Sequence, residues 1–93
     1  MGKLVRDRIQ ELFGGRSHVL DDAGYRAALR DKLQEEVAEY LASGEVLELA
    51  DVLEVVQALA ALDGVPAAEL EAMRRQKAQE RGAFRDRLWW TPT

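Results

Sequence analysis

Cysteine is absent from the sequence, so neither disulfides nor thiolate-held zinc enter the argument. Histidine occurs once, as His18, in a linker without other imidazoles, and reads as structural. No apolar run is long enough to span a bilayer and charges recur from Lys3 onward, so neither a membrane span nor a signal peptide is expected, and a cytoplasmic location is. Positive charge is not in excess. The net charge of −4 argues against an electrostatic grip on nucleic acid. Gly14-Gly15 lacks the Gly-Lys-Ser/Thr ending of a phosphate loop and reads as a turn, and no twelve-residue calcium loop is present.

What the chain does have is carboxylates in two blocks of the same shape: Glu36 with Glu39, and Glu48 with Asp51. At three-residue spacing two side chains share a helix face. In the first block Leu29, Leu33, Val37 and Tyr40 form an apolar stripe, and Glu36 falls inside it. Glu39 lies at its border and Glu35 further round. The second block sits in a segment, Val46 to Leu62, that is apolar almost all round, yet Glu48 and Asp51 project among its apolar directions. A bare buried carboxylate costs several kcal/mol. Like charges 4 Å apart also repel by about 4 kcal/mol at an effective dielectric near 20, so a cation belongs among them. Oxygen-only ligands suit a hard ion, Mg²⁺ with Mn²⁺ as a substitute. Glu35, Glu45 and Glu54 fit a solvated helix surface at least as well, in a chain that is 32% charged.

The 93 residues make a single domain, 1–93, with a core that is marginal at this size. Lys3 to Phe13 reads as a short helical or extended arm, and His18-Val19-Leu20 as a candidate strand. Asp21 or Asp22 caps a first long helix over about 22–42. Ser43-Gly44 is a turn tight enough to make the next helix, about 45–62, an antiparallel neighbour. Asp63-Gly64 ends it, and Pro66 fits the first turn of a third helix running to Gly82. Trp89-Trp90 reads as an apolar tail closing over the small core. The expected class is therefore all-α, an antiparallel helical bundle with a minor β pairing at the ends. Its nearly all-round apolar helix calls for a homo-oligomer to complete it. Arg74, Lys77 and Arg81 share a helix face and, with Lys3, Arg6 and Arg8, are the cations on hand for a polyphosphate, or else a solvated face pairing with Glu71 and Glu80.

The blocks Glu35-Glu36-x-x-Glu39 and Glu48-x-x-Asp51 resemble the signature of the all-α nucleoside triphosphate pyrophosphohydrolases, the superfamily of MazG, dimeric dUTPases and phosphoribosyl-ATP pyrophosphohydrolase. The opening Lys3-Leu4-Val5-Arg6-Asp7-Arg8-Ile9 and the closing Lys77-Ala78-Gln79-Glu80-Arg81-Gly82-Ala83-Phe84 are similar to the ends of its small MazG-like members. The resemblance implies that Glu36, Glu39, Glu48 and Asp51 ligate Mg²⁺, with Glu35 as a further ligand or water activator. It implies a homo-dimer or dimer of dimers, and release of pyrophosphate from a nucleotide. On that expectation Glu35 or Glu36 serves as general base, and Lys77, Arg81 and Arg6 hold substrate phosphates. The eight residues Tyr40 to Leu47 between the blocks are a shorter connection than in MazG itself, trimming the wall where a base would be read. The alternatives are a phosphoribosyl-ATP pyrophosphohydrolase of histidine biosynthesis, or an inactive helical module for dimerisation or nucleotide binding.

Overall fold

A computed structural model describes residues 2–93. Four helices follow one another, α1 (Ile9–Phe13), α2 (Asp22–Ser43), α3 (Val46–Leu62) and α4 (Ala67–Arg81), and no strand occurs among the described residues. The fold is all-α. The N-cap of α2 is Asp21, whose backbone is extended and whose Oδ1 accepts the Gly24 N–H at 2.7 Å. The helix ends at Gly44, at φ 69° in the left-handed region, whose N–H returns to the Tyr40 carbonyl at 2.7 Å. Glu45 then leads directly into α3, so α2 and α3 fold back on one another as a hairpin. Its antiparallel sense is visible at the far end, where Arg26 near the start of α2 meets Asp63 at the end of α3 at 2.6 Å.

The end of α3 is closed by two backbone bonds, Gly64 N–H to the Ala61 carbonyl at 2.9 Å and Val65 N–H to the Ala60 carbonyl at 2.9 Å. These satisfy carbonyls that the helix leaves open. Pro66 stands just outside α4 as its N-cap, not inside the first turn, and its carbonyl accepts the Leu70 N–H at 3.0 Å. α3 touches both α2 and α4. The buried apolar core is small: Leu29 of α2 and Val55 of α3, with Glu36 buried beside them.

Three expectations need correction. His18-Val19-Leu20 is not a strand: the segment is irregular, Val19 is fully exposed, and a strand without a partner leaves its backbone groups unpaired. The tail does not close over the core. After Gly82 it has no helical hydrogen bonding, and Phe84, Leu88, Trp89 and Trp90 all stay exposed. The minor β pairing at the ends is likewise missing from the described residues, where the arm instead holds a turn and the five-residue α1.

The hairpin turn gives a direct test. A Cβ added at Gly44 meets nothing within 4 Å, so Gly44→Ala suffers only the left-handed backbone. It should cost about 1–2 kcal/mol, read as a lower urea midpoint with an unchanged slope.

Candidate metal centre

Helix α2 delivers Glu35, Glu36 and Glu39 to the seam of the hairpin, and α3 delivers Glu48 and Asp51 from the opposite side. The Gly44 turn makes this possible by placing the last turns of α2 beside the first turns of α3. Glu36 is 7% exposed, the most deeply buried polar residue described, as its place inside the apolar stripe requires. One carboxylate oxygen of each of Glu36, Glu48 and Asp51 lies within 4.8 Å of the others. Glu35, Glu36 and Glu39 form a second group on the same criterion. Two acidic groups therefore meet at Glu36, with Glu39 on the α2 side. Glu35, Glu48 and Asp51 are half-buried, and Glu39 is exposed.

The cations present answer part of this charge. Lys32 Nζ lies 3.2 Å from Glu35 Oε2 and 3.3 Å from Glu36 Oε1, one and the same ammonium serving both. Burial works against the Lys32 charge, but its hydrogen bonds and the charges of Glu35 and Glu36 outweigh that and leave its pKa raised. Arg6, from the N-terminal arm, donates to Asp51 Oδ1 at 2.6 Å. The other oxygen of Glu36, Oε2, is buried without any hydrogen-bond partner. Such an oxygen costs on the order of 1–3 kcal/mol or more. An orphaned oxygen amid all-oxygen donors fits a small hard cation, so the residues present suit Mg²⁺ or Mn²⁺.

The repulsion left over is legible in two side chains. The charge of Glu36 first, then burial and the charges of Glu48 and Glu35, push the Glu39 carboxyl above the usual glutamate range. Burial first, then the charges of Asp51 and Glu36, push Glu48 the same way. Beside the acidic groups lies a cavity of about 250 Å³, whose wall includes Tyr25, Leu29, Lys32, Glu36, Asp51 and Val55. Tyr25 was missed by the sequence reading. The signal was present, because Tyr25, Leu29, Lys32 and Glu36 recur at four-, three- and four-residue steps along one face of α2.

The expected phosphate ligands divide. Arg6 is at the site, whereas Lys77 and Arg81 are exposed on α4 and line neither this cavity nor the smaller one beside Lys3 and Ala28. Arg74, on the same face, is held by Glu71 at 2.6 Å. His18 lies outside the acidic groups. No family model matches the chain, and no match is found to a curated protein or to a solved structure.

The pH dependence of the metal-free chain follows from these shifts. Glu39 and Glu48 are raised, so the folded state holds their protons more tightly than the unfolded one. Stability then rises as pH falls from neutral through the raised values toward the ordinary glutamate pKa of about 4.3. Asp63, lowered by its hydrogen bond and charge contact with Arg26, and Glu71, lowered chiefly by Arg74, act in the opposite sense. Their contribution is present above the ordinary carboxylate pKa and is lost as pH falls through the lowered values. Thermal melts in EDTA should therefore peak at mildly acidic pH; a melting temperature that only declines below neutral would contradict the repulsion at Glu36.

Proposed function

We propose that the chain is a Mg²⁺-dependent nucleoside triphosphate pyrophosphohydrolase, cleaving the α–β phosphoanhydride to a monophosphate and pyrophosphate in nucleotide-pool house-cleaning. The observation that carries this reading is the buried Glu36 carboxylate, one oxygen without a partner, at the meeting point of two acidic groups on facing helices. The MazG-like motifs at Glu35 to Glu39 and Glu48 to Asp51 support it. Glu36, Glu48 and Asp51 would hold the cation, with Glu39 at the edge. When bound, the ion supplies positive charge to polyphosphate oxygens and makes a water more acidic.

The chain's own residues supply the rest. Glu35, half-buried and paired with Lys32, would take the proton of the attacking water, with Glu36 as the other candidate base. Lys32 keeps positive charge beside both. The water oxygen bonds to phosphorus as the bridging oxygen leaves with its electron pair, and the proton passes to the carboxylate. Arg6 is the guanidinium nearest the site for a phosphate, and Lys77 and Arg81 are exposed cations free to close on the outer phosphates when a second copy or the substrate brings them near.

A homo-dimer or dimer of dimers belongs to the same proposal. The chain exposes 8524 Å², whereas a compact monomer of 10.4 kDa exposes about 5,400 Å². A standard interface covers roughly 800 Å² on each partner, so the excess leaves room for more than one. Leu47, Leu49 and Leu53 on α3 and Val37 and Leu41 on α2 are exposed and available to be covered. Light scattering at micromolar concentration should give a multiple of 10.4 kDa; a lasting monomer would refute the assembly.

The activity is tested by a panel of nucleoside triphosphates, modified ones included, assayed for pyrophosphate with and without Mg²⁺. At a hundredfold excess over its Kd, Mg²⁺ should stabilise the fold by about 2.7 kcal/mol, raising the melting temperature by more than about 10 °C for a domain of this size. Glu48→Gln should abolish turnover, weaken that rise and raise the melting temperature of metal-free protein. Unchanged turnover and an unchanged Mg²⁺ response in this variant would reject the site. A Mg²⁺ response with no pyrophosphate from any nucleotide would instead point to the inactive binding module. Turnover of phosphoribosyl-ATP alone would identify the histidine-pathway enzyme.

A further inference from the structure

The N-terminal arm ahead of α1 is held to the hairpin mainly by side chains. Leu4 is half-buried, and the Arg6 guanidinium sits 2.6 Å from Asp51 Oδ1, joining positions 45 residues apart. Leu4, Val5, Arg6 and Asp7 together form one wall of the cavity beside Glu36. Arg6 thus does two things at once: it straps the arm across the cavity, and it offsets negative charge on Asp51, one of the three carboxylates gathered at Glu36. Lys32 differs, because it reaches Glu35 and Glu36 from within α2 and cannot move away with the arm.

We propose that Arg6 and a divalent cation are alternative partners of Asp51, so that cation loading releases Arg6, frees the arm and opens the cavity beside the site. This rests on the divalent-cation reading given above. A divalent cation gathered by Glu36, Glu48 and Asp51 competes with the guanidinium for the same carboxylate charge. Arg6 holds Asp51 through Oδ1 at 2.6 Å, and an ion brought to Glu36, Glu48 and Asp51 would repel the arginine across that carboxylate. Coupling of this kind is reciprocal: if the cation expels Arg6, Arg6 weakens the cation. Loading would then precede entry of the nucleotide, and the released guanidinium would be available for a phosphate.

An exposed ion pair is a weak competitor in water, which limits the effect to about two- to fivefold in affinity. Mg²⁺ is titrated calorimetrically at low ionic strength into the full chain, into Arg6→Gln and into Arg8→Gln. Arg8 removes the same charge from the same arm but pairs with Glu11. Arg6→Gln should bind Mg²⁺ two- to fivefold more tightly, beyond any change in Arg8→Gln. In the unaltered chain the ¹⁵N heteronuclear NOE of Leu4 to Arg6 should fall as Mg²⁺ saturates. Equal or weaker binding by Arg6→Gln, a matching gain in Arg8→Gln, or an arm whose NOE values stay fixed on loading would overturn the proposal while leaving the cation site standing. Failure of Mg²⁺ to bind any of the three proteins would overturn both.

Discussion

Glu36 is where the packing and the chemistry of this chain conflict, and the rest of the hairpin is arranged around that conflict. The seam between α2 and α3 needs an apolar side chain at this point, as Leus and Vals fill the neighbouring directions, and a carboxylate is there instead. Lys32 answers one of its oxygens and leaves the other bare. Glu39, Glu48 and Asp51 crowd the same place from both helices, and Arg6 is drawn from the far end of the sequence to offset Asp51. Charge this concentrated is what the proposed cation would answer.

That arrangement costs stability in a chain that has little to spare. Leu29 and Val55 are the buried apolar residues, and the hairpin carries ten acidic residues against three basic ones between positions 22 and 63. Helix caps supply part of the compensation, through Asp21 at the start of α2 and Gly44 and Gly64 at the helix ends. The ion pair between Arg26 and Asp63 ties the far end of the hairpin, but both partners are well exposed and the pair contributes little. Cation binding and burial of the exposed α3 face in an assembly would each add stability that the isolated chain lacks.

How much of this was legible in the sequence varies with the range of the interaction. The α2 and α3 helices, their two-residue turn and the inward direction of Glu36 all follow from local periodicity and capping, which act over three or four residues. The partner of Asp51 did not. Arg6 lies in an arm without strong periodicity, and the contact spans 45 positions, so only tertiary packing selects it. The same holds for the cavity beside Tyr25. The tail was misread because two adjacent tryptophans signal a need for cover without saying where the cover is; in this chain they lie exposed beyond α4. α3 is apolar almost all round, and α2 and α4 leave Leu47, Leu49 and Leu53 exposed.

The central claim is that the carboxylates at Glu36 form one specific cation site, not a diffuse acidic surface. Substoichiometric Mn²⁺ distinguishes the two directly, because its unpaired electrons broaden nearby amide signals in a ¹H–¹⁵N spectrum of the full chain. The account predicts saturable broadening confined to the amides around Glu35, Glu36, Glu39, Glu48 and Asp51, reversed by excess Mg²⁺. Broadening spread equally over the exposed acidic residues of α4, Glu69, Glu71 and Glu80, would contradict it.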